Sequence, residues 1–101
     1  MTLILATQII MNQGYRFADQ VSVTEVDDEV VLLKLDTGSY YGLNSIGAKL
    51  VNGLQNQLTV HQICKDIASD YQIPYQNVNQ DLSDLIEQLI AEQLLIVIEI
   101  E

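Results

Sequence analysis

Three short β-rich runs, separated by tight turns, constrain the fold of this chain more than any other feature. Residues 21–26 alternate between apolar and polar side chains and are rich in β-branched types. A second run, residues 30–35, follows the turn signal Asp27-Asp28. A third run, residues 39–43, follows a loop in which Gly38 suits a positive φ. Connections this short predict an antiparallel meander whose first and third strands form its edges.

Three amphipathic helices are predicted after the meander. Asn44 is a suitable N-cap for the first helix, residues 45–55, in which apolar side chains recur at helical spacing. Thr59 opens a capping box in front of the second helix, which carries a clean apolar stripe. Ile73-Pro74 ends that helix and begins a third, which extends from about residue 75 to residue 93.

Both ends of the chain are apolar, and they suggest further pairing. Residues 94–101 are β-rich and predict a final strand, which would be prone to aggregation if its edges stayed bare. We expect it to pair within one molecule or between two, with the apolar run at residues 3–11 as one partner, so a homodimer through these ends is one expectation. Residues 12–14 indicate a turn.

The order of these elements predicts an α+β fold. A three-stranded antiparallel sheet followed by three helices, with an extra C-terminal strand, is winged helix-turn-helix-like. A chain of 101 residues is expected to be a single domain. Its predicted parts are an arm or strand at residues 1–20, the meander at 21–43, the helices at 44–93 and the terminal strand at 94–101.

The charge balance argues against nucleic-acid partners. The net charge is −10, from 14 acidic residues against four Lys and Arg. Nucleic-acid binding needs clustered cations to neutralise phosphates, and here they are scattered. A winged-helix DNA-binding regulator is therefore the weaker alternative for this fold. The acidic residues either favour a basic partner or simply keep a small apolar domain in solution.

The residues capable of chemistry do not form a catalytic constellation. His61 is the only histidine and Cys64 the only cysteine, and Cys64 belongs to the apolar stripe of the second helix. Asp81 and Asp84 share a helical face, for which a solvated surface is the simpler explanation. No phosphate loop, dinucleotide fingerprint or zinc spacing occurs. We therefore predict a protein that is not an enzyme and that holds neither a metal nor a cofactor.

Compartment follows from the cysteine and the N-terminus. A single cysteine cannot form an internal disulfide, which fits a reducing environment. The first 11 residues are apolar but lack a basic n-region, and they are too short to cross a bilayer. We expect a cytoplasmic protein without a membrane partner.

The third predicted strand is the most promising binding surface. An edge strand exposes unpaired N–H and C=O groups that an extended peptide can complete by β-augmentation. Tyr40 and Tyr41 point to opposite faces of this strand, so one is expected in the core and the other is available. The alternative is that both tyrosines only stabilise the strand.

The sequence D-T-G-S-Y-Y-G-L-N at residues 36–44 resembles the signature of the PqqD-like family. The helical segments T-V-H-Q-I-C-K-D-I-A and Q-D-L-S-D-L-I-E-Q-L also resemble those of the family, in the same order. The resemblance covers about residues 15–96. The chain departs from the family pattern at Gln93, where the family usually has Gly.

The resemblance implies a recognition element for ribosomally synthesised, modified peptides. In such proteins a leader peptide adds a strand antiparallel to the third strand and lies in a groove against the third helix. The partners implied are the precursor's leader and a leader peptidase or other modifying enzyme, with the lasso-peptide type favoured. The alternative is a PqqD-type chaperone for a radical enzyme in quinone-cofactor synthesis. The residues carried over are Tyr40, Tyr41, Gly42 and Leu43 in the pairing strand and Val78, Asp81, Leu82 and Leu85 in the groove wall.

Overall fold

The predicted order of strands and helices is confirmed by a computed structural model, which describes residues 13–99. The elements are β1 (Gln13–Phe17), β2 (Val21–Val26), β3 (Glu29–Lys34), β4 (Tyr40–Leu43), α1 (Ser45–Gln55), α2 (Val60–Tyr71), α3 (Tyr75–Ala91) and β5 (Leu95–Glu99). They form the α+β arrangement expected from the sequence, with a three-stranded antiparallel sheet, three helices and an additional C-terminal strand.

Within the described part of the chain, the strands form two separate antiparallel sheets. The meander has the order β2-β3-β4, and Leu32 lies opposite Tyr41 where β3 pairs with β4. The second sheet is a ribbon of β1 and β5, in which Tyr15 lies opposite Val97. The terminal strand therefore pairs within its own chain, and β2 and β4 are the edges of the meander among the described residues.

The turn predicted at residues 12–14 is wrong for Gln13 and Gly14, which are the first residues of β1. β5 offers a row of backbone donors and acceptors, and pairing satisfies the backbone of both strands, which a turn at Gly14 would not. Asn12 and the apolar run at residues 3–11 lie outside the described residues.

The local signals at the hairpin and helix starts act as predicted. Gly38 has a φ of 77°, in the left-handed region that glycine adopts without steric cost. The side chain of Asn44 accepts a hydrogen bond from the Gly47 N–H at 3.1 Å and caps α1. Thr59 caps α2 in the same way, accepting from the Gln62 N–H at 3.1 Å.

A glutamine in the left-handed region follows each of α1, α2 and α3. These residues are Gln57, Gln72 and Gln93, with φ values of 64°, 55° and 63°. At the end of α3, the Leu94 N–H donates to the Leu89 carbonyl at 2.9 Å. The left-handed conformation of Gln93 thus ends the helix and turns the chain into β5. α3 consequently ends at Ala91, two residues before its predicted end.

The core lies between the meander and the three helices. Its fully buried side chains include Leu32 from β3, Leu50 from α1, Ile67 from α2 and Leu82 from α3. Each contributes about 1.5–3 kcal/mol by leaving water. The helices fit closely because α1 has no side chain at Gly53, where a Cβ would stand 2.6 Å from Ile63.

Candidate functional site

β4 presents an open edge, meaning the side of the strand that is not paired with β3. The Lys34 N–H donates to the Ser39 carbonyl at 2.8 Å, so these two residues form a hydrogen-bonded pair. Hydrogen-bonded and non-bonded pairs alternate along an antiparallel ladder, which makes Tyr41 and Leu43 the bonded residues of β4. The N–H and C=O groups of Tyr40 and Gly42 therefore point to the open edge.

The two faces of β4 differ in their surroundings. Tyr41 and Leu43 are half-buried and pack against the core on the helical face. Tyr40 lies on the other face, with 74% of its surface exposed. The expectation that one of the adjacent tyrosines is available and the other packs inward is confirmed.

A cavity of about 310 Å³ lies beside β4 on its helical face, and we call it the β4–α3 groove. Leu82 is only 1% exposed and forms part of its floor, whereas Leu85 is half-buried. Asp81 stands exposed on its rim. The full lining is Gly42, Leu43, Asn44, Ile46, Gly47, Asp81, Leu82 and Leu85.

The absence of a side chain at Gly47 gives this groove its shape. A Cβ at this position would stand 2.9 Å from the Leu43 Cβ, so α1 approaches the end of β4 more closely than any other residue would permit. Gly47 therefore packs directly against Leu43 at the end of the sheet. Asn44, between the two elements, fixes their junction through its cap on α1.

Of the residues carried over from the resemblance, the structure brings five together at the groove: Gly42, Leu43, Asp81, Leu82 and Leu85. Val78, predicted in the groove wall, is 3% exposed and packs in the core instead of lining the groove. Ile46 lines the groove but was not among the predicted site residues. Its position in the apolar stripe of α1 was visible in the sequence, but the face it shares with β4 was not.

Tyr41 connects the edge strand to the end of α3. Its hydroxyl donates a hydrogen bond to the Glu92 carboxylate at 2.9 Å. This bond raises the pKa of Tyr41 above its usual value, with further contributions from burial and from the negative charge of Glu92. The contact bridges 51 positions of sequence, so no local pattern indicated it.

β2 is the other edge of the meander, but it is less suited to pairing. Its second half is exposed and carries Glu25, and a charge on an edge strand discourages the addition of another strand. β4 has no charged residue in its sequence Y-Y-G-L. The geometry and the composition therefore both favour β4 as the edge that accepts an additional strand.

His61 and Cys64 have separate surroundings. The His61 Nδ1 lies 2.7 Å from the Tyr75 hydroxyl. Cys64 is buried in the core, and its burial raises the pKa of the thiol, which disfavours the reactive thiolate. Among residues 13–99, no three His, Cys, Asp or Glu side chains are grouped closely enough to hold a metal ion. Within the same residues, no helix is both long and apolar enough for a membrane span.

The fold and the groove define this protein as a winged helix-turn-helix-like α+β domain with an open strand edge beside a helix-walled cavity. A sequence model of the family described as coenzyme PQQ synthesis protein D (PqqD) matches residues 29–95, which is more than half of the chain. The protein belongs to the PqqD family. A comparison with curated protein sequences finds no match.

Two solved structures share this fold. TbiB1 in complex with the TbiA(beta) leader peptide superposes with a TM-score of 0.74 at 34% identity, over 79% of this chain and 93% of that chain. Lasso peptide synthetase B1 complexed with the leader peptide has a TM-score of 0.77 at 23% identity, over 82% of this chain and 98% of that chain. At 23% identity the second likeness concerns the fold alone.

Proposed function

We propose that this protein binds the leader segment of a ribosomally synthesised precursor peptide as an additional strand on β4. The observation that carries the proposal is the open edge of β4 beside the β4–α3 groove. Tyr40 and Gly42 offer backbone groups to an added strand, and the groove offers an apolar pocket for its side chains. TbiB1, the solved structure with 34% identity to this chain, is in complex with a leader peptide, which supports a leader as the ligand here.

Two kinds of contact contribute to the proposed binding free energy. Backbone hydrogen bonds to β4 are tolerant of sequence, and each contributes on the order of 1 kcal/mol. An apolar side chain in the groove, against Leu82 and Leu85, adds roughly 1.5–3 kcal/mol and gives selectivity. After the cost of ordering the peptide, these terms are compatible with a Kd from about 1 μM to 1 nM.

The protein's role in this proposal is to hold and deliver the peptide, with no chemical step of its own. The partner that consumes the leader is a processing enzyme, and we favour the leader peptidase of a lasso-peptide pathway. The description of the PqqD family names the synthesis of a quinone cofactor, so a partner of a radical enzyme is the second candidate. We expect delivery of the peptide to either enzyme to occur in the cytoplasm, where a lone cysteine stays reduced.

The neighbouring genes distinguish these two partners. A short precursor gene with a peptidase gene and an ATP-dependent cyclase gene selects the lasso pathway. A gene for a radical enzyme selects the quinone pathway. Co-purification of this protein with each encoded enzyme, with and without the precursor, then tests delivery directly.

Binding is tested by titrating the protein into the fluorescently labelled synthetic leader of the neighbouring precursor. Saturable binding is expected, and its absence would refute the proposal. Leu85→Ala removes apolar contact in the groove and is expected to raise Kd by about 5- to 30-fold, equivalent to about 1–2 kcal/mol.

Ile90→Ala is the matched control for this substitution. Ile90 is also half-buried on α3, but it borders a different cavity, between α3 and β5. It should leave Kd unchanged. Equal weakening by both variants would show that the peptide does not occupy the β4–α3 groove.

A further inference from the structure

We propose that the β4–α3 groove selects a peptide with Lys or Arg two residues before its apolar anchor, and that Asp81 recognises this cation. The inference rests on the proposed function and specifies the chemistry of its ligand.

Within the described part of the chain, Asp81 is the one charged residue that lines the groove. Its carboxylate makes no hydrogen bond or ion pair with the side chains of residues 14–98. In contrast, the nearby Asp84 accepts a hydrogen bond from the Gln80 amide at 3.0 Å and does not line the groove. Asp81 therefore offers an uncompensated negative charge at the rim of an apolar pocket.

The spacing on α3 matches the spacing of an extended peptide. Asp81 precedes Leu85 by one helical turn, which is about 6 Å along the axis. Two residues of an extended strand span about 6.6 Å and place their side chains on the same face. When one peptide side chain packs against Leu85, the peptide side chain two residues away lies on the same face and beside Asp81.

The direction of α3 decides which neighbour this is. The C-terminal end of α3 lies at the Tyr41 end of β4, because the Tyr41 hydroxyl reaches Glu92. Asp81 lies at the opposite end of the groove, with Leu43 and Asn44. A strand antiparallel to β4 has its N-terminal residues at that end, so the residue beside Asp81 precedes the anchor. Antiparallel addition continues the pattern of the meander.

The charge of the rest of the protein reinforces the preference. The net charge is −10, and three of the four cations are engaged away from the groove. Arg16 pairs with Asp19, Lys49 lies 3.6 Å from the Asp70 carboxylate, and Lys34 donates to Gln93. A Lys or Arg in the peptide meets a favourable field at Asp81, whereas a Glu is repelled.

The experiment begins with the full chain and a displayed library of random peptides of about 12 residues, which is enough to span the groove as a strand. We expect selected peptides to carry Lys or Arg two positions before an Ile, Leu, Tyr or Phe. The consensus peptide and its Lys→Gln version are then titrated against the wild-type protein, Asp81→Asn and the control Asp84→Asn.

The affinities of the wild-type protein and of Asp81→Asn for the Lys and Gln peptides form a double-mutant cycle. The cycle isolates the interaction free energy between Asp81 and the peptide lysine. An exposed ion pair of this kind is expected to change Kd by about 2- to 5-fold. The preference should shrink in about 1 M salt, where the screening length falls to about 3 Å. Asp84→Asn should leave the preference intact.

The outcomes separate this inference from the proposed function. Peptides without a basic residue at that position, or equal effects of Asp81→Asn and Asp84→Asn, would overturn the role of Asp81. If those peptides still lose affinity with Leu85→Ala, peptide binding in the groove stands. A library from which the wild-type protein enriches no peptide overturns both.

Discussion

Replacing Gly42 with proline tests the proposed role of the open edge of β4 without removing a hydrogen bond to β3. The N–H of Gly42 points away from β3, because Gly42 lies opposite Val31 in a non-bonded pair. Proline lacks this N–H, and it is tolerated in an edge strand where the missing donor faces solvent. Tyr41, which precedes it, already has the extended conformation that a residue before proline prefers. The fold should therefore survive while the edge loses a donor.

The expected loss of affinity follows from one backbone hydrogen bond. An absent bond costs about 0.5–1.5 kcal/mol net, and a peptide carbonyl left without a donor costs about 1–3 kcal/mol when it is desolvated. A total of about 1–3 kcal/mol raises Kd by about 5- to 150-fold. Gly42→Ala keeps the donor and is the control, since a Cβ at this position meets no atom of the described residues within 4 Å.

The assay is titration of the labelled leader peptide, with urea unfolding of each variant to confirm the fold. Gly42→Ala should bind within about twofold of the wild-type protein, well below the loss of one hydrogen bond. If Gly42→Pro remains folded and its Kd is unchanged, the peptide does not pair with this edge, and the assignment of β4 as the binding strand is wrong.

Three further predictions concern the scaffold. Gly53→Ala should destabilise the fold by about 1–3 kcal/mol in urea unfolding, because the new Cβ overlaps Ile63. Gln93→Gly should stabilise it by about 0.5–1 kcal/mol, because glycine adopts the observed φ of 63° without strain; a loss of stability would contradict this account. The pKa of Tyr41 is raised from 10.0, so its contribution to stability should be present below about pH 10 and disappear as pH rises through the folded-state pKa. Glu92→Ala should lower the pKa of Tyr41 in an ultraviolet titration, and an unchanged value would contradict the role of the Glu92 contact.

Most of the fold could be predicted because its signals are local. The alternation in β2, the positive φ at Gly38 and the caps at Asn44 and Thr59 each act within a few residues of chain. Such signals depend on backbone geometry and on hydrogen bonds closed between near neighbours, so the sequence shows them directly. β1 was misread at its start because its partner, β5, lies at the far end of the chain.

The groove was only partly predictable for the same reason. Leu82 and Leu85 belong to one amphipathic stripe together with Val78, and the sequence does not say which of these residues faces the groove. That division depends on how α3 lies against β4 in the folded protein. It leaves Val78 in the core and puts Leu85 beside the open edge.

The meander, the helices, the caps of α1 and α2 and the edge strand Tyr40–Leu43 were visible in the sequence, because hydrophobic period and turn chemistry are properties of neighbouring residues. Three-dimensional packing was needed to show which backbone groups of β4 face outward and which residue of α3 puts a charge beside them. Those facts depend on strand register and on the direction in which α3 crosses the sheet. The pairing of β3 with β4 sets the register, and contacts such as that of Tyr41 with Glu92, far apart in the chain, set the direction of α3.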